Sequence, residues 1–357
     1  EQVAIEPPFR PFYHKTFEQI SIDDGVSPSI FKQLSNIFLP SVKHVEEKQE
    51  SRKIIPKIAH WKSLCCFSIS FPQNTEISAI ISREFLTMLA FSEYPISFEI
   101  VGTVEAIRIQ FSCDVDDESR IKSLLKGYFT TVIIKEEEVY NLNFDTNKTI
   151  AVCDFGLSEE FVRPLETVSS FQIDSLTSVI ATLDHLQCGD VVILQIIFQG
   201  VTAPWSKNMI YAVSDGEGGN FFSDSPEMLT CAKEKVQSPL YSAVIRLGTQ
   251  GINNQRSQYL SKELSRNVCS ISASSFNALI PLSNEGYEYE HHIRNLFERT
   301  SNRLGMILNA EELTTFVHYP NKTVVSSKLG IQGGKTKMLP KEALYKKEHQ
   351  NAFHHFE

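Results

Sequence analysis

The sequence has neither an apolar run long enough to cross a membrane nor a secretory leader. Its longest apolar run, residues 191–198, is interrupted by Gln195 and falls short of the roughly 20 residues that a span requires. The first residues, EQVAIEPPFRPFYH, contain no positive segment followed by an apolar one, so they do not form a signal peptide. The chain begins without Met, and we expect its natural start to lie upstream. These absences predict a cytoplasmic protein, or the cytoplasmic part of one.

The cysteines show no disulfide framework. There are seven, an odd number, and they are spread between Cys65 and Cys269 without regular spacing. Secreted disulfide scaffolds usually have even numbers at short, repeated spacings, so this pattern predicts reduced thiols.

Basic residues are also too few for a surface that binds nucleic acid as a whole. Lysine plus arginine numbers 34 against 43 acids, which gives a formal net charge of −9 over 357 residues. This balance excludes a generally basic surface and leaves room only for a local basic groove. Apolar residues make up 42% and charged residues 22%, as in soluble globular chains. At about 150 residues per domain, the length predicts two to three domains.

A first folding unit is predicted over residues 54–145, after an N-terminal arm or linker over residues 1–53. Residues 61–71 form a strand candidate that ends at Pro72, and apolar residues at helical spacing follow up to Leu89. A hairpin that turns near Gly102 comes next, then a helix that begins with the acids of residues 114–118, then a strand over residues 131–134. The order β-α-β-β-α-β is that of the ferredoxin-like unit.

The same order recurs over residues 146–283. The predicted strands cover residues 149–154, 191–198, 241–247 and 277–281, and the helical stripes cover residues 176–183 and 260–268. Residues 200–238 form an insertion between the paired middle strands, predicted as a long loop with the flexible stretch SDGEGGN. The fold class is therefore predicted as α+β, with two tandem ferredoxin-like units whose sheets are antiparallel.

Residues 284–357 are predicted to be a helical connector. Ile293, Leu296, Phe297 and Thr300 form the apolar stripe of a basic helix that carries Arg294, Arg299 and Arg303. These three arginines are the candidates for contact with nucleic acid, although solvated helix surface is the commoner role of such residues. Arg299 and Arg303 are four apart and so share one side of the predicted helix.

Motifs for catalysis are incomplete. Residues 330–336, GIQGGKT, resemble a phosphate-binding loop, but Leu329 occupies the position of its first glycine and Pro340 follows closely. Asp154-Phe155-Gly156 matches the kinase magnesium motif without the other kinase elements, and Asp154 is predicted to end a strand. The pairs His291-His292 and His354-His355 lack partners at metal-binding spacing, and Cys65 and Cys66 are predicted to face opposite sides of a strand. We predict no catalytic, cofactor-binding or metal-binding residue in this chain.

Five segments together resemble the large conjugative-transfer ATPases of the HerA/FtsK type. They are PISFEIVGTVEAIRIQFSC, FGLSEEFVRPLETVSSFQIDSL, QIIFQGVTAPW, KEKVQSPLYSAVIRL and SNRLGMILNAEELTTFVHYPN, which occur in this order between Pro95 and Asn321. The last segment is similar to the region just before the motor domain in relatives from type IV secretion systems.

The resemblance implies a non-catalytic N-terminal region whose RecA-like motor lies beyond Glu357. It implies a role in assembly of the ring, recruitment of partners or guidance of substrate for a DNA-translocating ATPase, in conjugation or antiphage defence. The partners implied are copies of the chain itself and a nuclease or secretion component, with ATP, Mg²⁺ and DNA bound by the full-length protein. Two alternatives stay open: a free-standing nucleotide-binding enzyme that uses the GIQGGKT stretch, and a DNA-binding module that uses the Arg294–Arg303 helix.

Overall fold

Strands and helices are interspersed along the part of the chain that the computed structural model describes, namely residues 61–72, 75–201, 205–215, 219–284, 288–301 and 305–329. The strands are β1 (Leu64–Ser70), β2 (Ile96–Gly102), β3 (Ile107–Asp114), β4 (Ile133–Glu137), β5 (Ala151–Leu157), β6 (Val191–Gly200), β7 (Leu240–Gln250), β8 (Leu279–Pro281) and β9 (Met306–Asn309). The α-helices are α1 (Ala79–Leu89), α2 (Val115–Tyr128), α3 (Thr177–Asp184), α4 (Trp205–Val213), α5 (Glu227–Lys235), α6 (Asn254–Ser272), α7 (Tyr289–Glu298) and α8 (Ala310–Thr314). The protein is thus a mixed α+β protein with an antiparallel sheet.

The nine described strands belong to one sheet rather than two. Their order is β4-β1-β3-β2-β6-β7-β5-β8, and β9 pairs with the first residues of β7. The pairing of β2 with β6 joins the two halves, from Ile96 opposite Phe198 to Gly102 opposite Val192. The prediction of separate sheets is therefore wrong, because the outer strands of the two halves complete each other's backbone hydrogen bonds.

The main hydrophobic core lies on one face of this sheet. Alternate strand residues point into it, including Phe67, Phe98, Phe111, Leu194 and Ile245. Helices α1, α2, α3 and α6 cover it with apolar residues at helical spacing, including Leu86, Ile121, Leu183 and Leu264. Both halves of the chain contribute to this one cluster, because the sheet on which it lies is continuous.

Helix α2 begins where its sequence predicts. Asp114 is the N-cap, and its carboxylate accepts a hydrogen bond from Asp116 N at 3.0 Å. The same carboxylate accepts hydrogen bonds from the backbone N–H groups of Lys62 and Ser63, at 2.6 and 3.2 Å. One side chain therefore caps a helix and fixes the residues that lead into β1.

The insertion over residues 200–238 differs from the predicted long loop. Strand β6 extends to Gly200, and the described part of the insertion contains the helices α4 and α5. Met209, Met228 and Ala232 of these helices form a small core with Leu240 and Ile307, on the sheet face opposite the main core. The corresponding connection of the first half is the tight turn that the sequence predicts, closed by a hydrogen bond from Thr103 N to Ala106 O at 2.9 Å.

Candidate functional site

Seven polar residues lie side by side in a row across the sheet, one from each of seven adjacent strands. In spatial order they are Asp154, Arg246, Gln195, Glu99, Gln110, Ser68 and Lys135, and each is directly opposite the next in the strand register. Their neighbours along each strand point into the main core, so these residues point to the other face. We call this set the polar row.

Two buried ion pairs lie within or against the polar row. Arg246 Nε is 2.6 Å from Asp154 Oδ1, and Arg299 Nε is 2.9 Å from Glu99 Oε1. Gln195 links the pairs, because its Nε2 donates to Glu99 Oε1 at 3.0 Å and its Oε1 accepts from Arg246 Nη1 at 3.3 Å. The two acids and two arginines balance in charge, which a buried network requires.

Helix α7 covers the centre of the polar row. Gln195 Nε2 donates to the Leu296 carbonyl at 3.0 Å, and Arg246 Nη1 donates to the Thr300 carbonyl at 2.9 Å. Leu296 also packs in an apolar cluster with Val101 and Ile193, one residue from each half of the sheet. The carbonyl groups at the end of the helix, which have no partner within it, are thus bound by side chains of the sheet.

Arg299 ends helix α7 in a left-handed conformation, with φ at 54°. A residue other than glycine seldom adopts this conformation, and here it directs the guanidinium beneath the helix toward Glu99. Arg299 is 1% exposed, so it does not lie on the solvated side of the helix where the helical pattern places it with Arg303, whereas Arg294 of the same helix is exposed. We correct the prediction at Arg299: its charge is used inside the fold. Arg303 lies outside the described residues.

The ion pair keeps Glu99 ionised. Burial by itself raises the pKa of Glu99, but the Arg299 charge and hydrogen bonds from Arg299, Gln110 and Gln195 hold the pKa below its usual range. Both Glu99 oxygens accept hydrogen bonds from these side chains. The arrangement positions helix α7 on the sheet, and we assign no proton-transfer role to it.

A cleft of about 180 Å³ lies at the outer end of the polar row. Arg108, Lys135 and Glu137 line it together with Leu329 and Tyr319. Glu137 accepts hydrogen bonds from Ser68 at 2.8 Å and Lys135 at 3.2 Å, and lies 3.6 Å from Arg108. The charged groups of the cleft are therefore engaged with one another.

Of the other residues singled out by the sequence, Asp154 and His292 lie together, with His292 Nδ1 3.6 Å from Asp154 Oδ2. Asp154 lies within β5 rather than at its end, because the strand continues to Leu157 and Arg246 pairs with Asp154 from the neighbouring strand. His291 is exposed and His292 is buried. No group of three or more histidine, cysteine or acidic side chains is arranged to hold a metal ion within the described ranges. The GIQGGKT stretch and His354-His355 lie outside the described residues.

Sequence reasoning missed the polar row, although each of its central strands carried a signal. Glu99, Gln195 and Arg246 each interrupt a run of apolar residues within a buried strand. A single polar residue in the middle of a buried strand requires a partner, and three of them in strands that pair would have pointed to one network.

A comparison of the chain with protein-family profiles finds no match, and a comparison with curated protein sequences also finds none. Among the helices of the described part, none is both long and apolar enough to cross a membrane.

Proposed function

We propose that this chain is a non-catalytic assembly or recruitment domain of a HerA/FtsK-type DNA-translocating ATPase that acts in conjugative transfer or antiphage defence. The proposal rests on the resemblance of five ordered segments and places ATP, Mg²⁺ and the motor beyond Glu357. It further places the protein in the cytoplasm, with copies of itself and a nuclease or secretion component as partners.

We also infer that each half of the chain is a ferredoxin-like unit. The strand order β4-β1-β3-β2 of the first half and β8-β5-β7-β6 of the second support this, since they are the same order of equivalent strands. The equivalent strands β2 and β6 pair antiparallel, as an approximate two-fold axis between the halves would require. The insertion and β9 are additions to the second half.

The structural feature that supports the proposed function is the attachment of helix α7 to both halves of the sheet. Glu99 of β2 binds Arg299, whereas Gln195 of β6 and Arg246 of β7 bind carbonyl groups at or just after the end of the helix. The buried charges of the polar row therefore hold the segment that leads toward the C-terminus. This use of charge suits a domain that fixes the orientation of whatever follows it.

Exposed aromatic residues on the insertion support the recruitment role. Tyr211 is 72% exposed and Phe221 is 66% exposed, and the ring centroids of Phe221 and Phe222 lie 5.1 Å apart. The hydrogen bond from Phe221 N to Val213 O, at 3.0 Å, brings the two segments together. Exposed aromatic side chains are enriched where proteins meet.

Light scattering of the purified chain, with and without ATP and Mg²⁺, tests the assembly function. We expect a discrete oligomer whose mass does not change with nucleotide and is the same in Lys335→Ala. Nucleotide-driven assembly that Lys335→Ala abolishes would instead establish the nucleotide-binding alternative. A monomer under all conditions would remove the assembly role and leave the recruitment role. The double substitution Tyr211→Ser and Phe221→Ser tests recruitment, because it should abolish capture of the nuclease or secretion component.

Fluorescence anisotropy with labelled duplex DNA tests the DNA-binding alternative. We compare Arg294→Glu with Arg266→Glu, a matched substitution on α6 whose side chain is 78% exposed. Our proposal expects weak binding and less than about a two-fold difference between the variants, because surface charges away from a binding site contribute little. Binding that falls steeply with salt and is lost only in Arg294→Glu would favour the alternative.

A further inference from the structure

Cys65 and Cys113 face each other across the antiparallel pair β1–β3. They are directly opposite in the strand register, and their Sγ atoms lie 3.5 Å apart. Directly opposite residues of antiparallel strands have Cα atoms about 4.5–5.5 Å apart, within the roughly 4.4–6.8 Å that disulfides span. Rotation of the two side chains is therefore enough to bring the sulfur atoms within bonding distance.

The two thiols differ in access and in acidity. Cys65 is partly exposed, whereas Cys113 is fully buried. The hydrogen bond between them lowers the pKa of Cys65 and raises the pKa of Cys113, which burial raises further. Two charged groups of helix α2 also act on the pKa of Cys65: the Glu118 carboxylate raises it and the Lys122 ammonium lowers it. The thiolate that reacts first is therefore that of Cys65, with Cys113 held behind it.

We propose that Cys65 and Cys113 form an oxidative modification site, a dithiol that a hydroperoxide converts to a disulfide. The Cys65 thiolate attacks the terminal peroxide oxygen: an S–O bond forms, the O–O bond breaks, and the leaving alkoxide or hydroxide takes up a proton. The sulfur of Cys113 then attacks Sγ of the Cys65 sulfenic acid. The S–S bond forms, the S–O bond breaks, and the hydroxyl group leaves with the thiol proton as water.

The neighbouring residues give this bond a structural consequence. Asp114, next to Cys113, binds the backbone N–H groups of Lys62 and Ser63 and caps helix α2. A disulfide would add to these reversible contacts a covalent link between the entry of the chain into β1 and the start of α2. Oxidation would thereby fix the point at which the N-terminal segment joins the sheet.

Peptide mapping of the native protein after hydrogen peroxide treatment tests the proposal. Free thiols are alkylated in denaturant, and the chain is digested with trypsin. We expect residues 63–83, which contain Cys65 and Cys66, to be linked to residues 109–120, which contain Cys113. The intact mass should fall by two hydrogen atoms, and a dithiol reductant should restore both thiols.

Single substitutions assign the sulfur atoms and their order of reaction. Cys66→Ser is the matched control: burial raises the pKa of Cys66 to about 12, so its loss should leave the cross-link intact. Cys113→Ser should accumulate a sulfenic acid on Cys65 that dimedone captures, whereas Cys65→Ser should give neither cross-link nor adduct. Circular dichroism checks that each variant is folded. The peptide mapping of the unsubstituted chain tests the proposal even where a variant does not fold.

Two results would overturn the proposal. One is full alkylation of both Cys65 and Cys113 under conditions in which the exposed Cys188 is already oxidised. The other is a cross-link that persists in Cys65→Ser, which would place the reactive thiol at Cys66.

Discussion

Arg299 and Glu99 form an ion pair between residues 200 positions apart, with Arg299 Nε 2.9 Å from Glu99 Oε1 and both side chains fully excluded from solvent. The pair joins the end of helix α7 to the strand at which the two halves of the sheet meet. Two requirements coincide at Arg299: the left-handed backbone that ends the helix, and the charge that neutralises Glu99. Substitutions of this one residue can therefore separate the contribution of the backbone conformation to the attachment of α7 from the contribution of the charge.

We expect Arg299→Ala to destabilise the protein by about 3–5 kcal/mol, because it leaves a buried carboxylate without its partner. Arg299→Gly removes the same charge but avoids the roughly 1 kcal/mol cost of the left-handed conformation, so it should be less destabilising by that amount. Urea unfolding measures both values. If Arg299→Gly were more stable than the unsubstituted protein by about 1 kcal/mol, relief of the left-handed conformation would be the whole effect and the ion pair would contribute nothing.

Trp61 reports locally on helix α7, because its indole Nε1 donates to the Glu298 carbonyl at 3.1 Å. In a Trp205→Phe background, we expect Arg299→Ala to shift the fluorescence of Trp61 toward that of a solvated indole. In a Trp61→Phe background, the emission of Trp205, which lies on the insertion helix α4, should stay unchanged. A shift of both tryptophans would mean that the substitution disturbs the whole sheet rather than α7.

The stability of the protein should fall at acidic pH because two buried carboxylates, those of Glu99 and Asp174, become protonated. Asp174 resembles Glu99: burial raises its pKa, but His318 and the N–H groups of Asn321 and Leu176 hold the pKa below its usual range. A carboxyl group whose pKa is lower in the folded state contributes stability above its unfolded pKa of about 4, and this is lost as pH falls through the folded value. We therefore expect the Tm to decline below about pH 4.

Thermal melts of Glu99→Gln and Asp174→Asn between neutral and acidic pH check this origin. Each variant should be less stable at pH 7 and should show a flatter decline, because it lacks one of the groups that titrate. Glu234→Gln removes an exposed carboxyl group and should follow the unsubstituted protein. Parallel curves for all four proteins would assign the acid sensitivity to other residues.

Much of the fold could be predicted from the sequence because its apolar residues follow regular periods. Ile107, Ile109 and Phe111 alternate along β3, and Leu260, Leu264 and Val268 recur at helical spacing along α6. These patterns depend only on neighbours in the chain, so they identify the elements and their order. They do not identify which edge strands meet, and the β2–β6 pairing that makes one sheet was therefore missed.

The candidate site could not be predicted, because its partners are distant in sequence. Arg108 and Gln110 occupy the positions that alternation assigns to solvent, yet Gln110 is buried and bonded to Glu99. The helical period places Arg299 beside Arg303, since no glycine marks the left-handed end of α7. Helix α5 could not be predicted from its apolar residues, because the helix is short and follows a glycine-rich stretch.

The insertion is attached through a further buried ion pair, Lys235 with Glu312. Lys235 Nζ lies 2.6 Å from Glu312 Oε2, and Glu312 also accepts hydrogen bonds from Leu165 N and Asn309 N. We expect Glu312→Gln to cost about 3–5 kcal/mol, because it leaves a buried ammonium unpaired. Lys235→Met should cost less, because two backbone N–H groups still bind the carboxylate. Urea unfolding followed by Trp205 fluorescence in a Trp61→Phe background measures the order, and a larger loss in Lys235→Met would contradict it.

Substitution of glycine by alanine is expected to change the stability of the protein in opposite directions at two positions. A Cβ atom at Gly200, the last residue of β6, would overlap the carbonyl group of Ala90 at the end of helix α1. Backbone cannot move aside as a flexible side chain can, so we expect Gly200→Ala to destabilise by at least about 1–3 kcal/mol. A Cβ atom at Gly127 within helix α2 meets no other atom within 4 Å. Gly127→Ala should therefore stabilise by up to about 1 kcal/mol, because alanine favours the helix over the unfolded chain.

Urea unfolding of the two alanine variants gives the sign directly, and the chemical change is the same single methyl group in both. The sign of the change in Gly200→Ala reports on the close approach of α1 to β6, and Gly127→Ala is the control in which the added methyl group meets no such contact. That approach sets the position of helix α1, the first described helix of the first half, against a strand of the second half. Destabilisation by Gly200→Ala with stabilisation by Gly127→Ala would show that this contact is part of what holds the halves together, whereas a neutral Gly200→Ala would show that α1 can move away without loss.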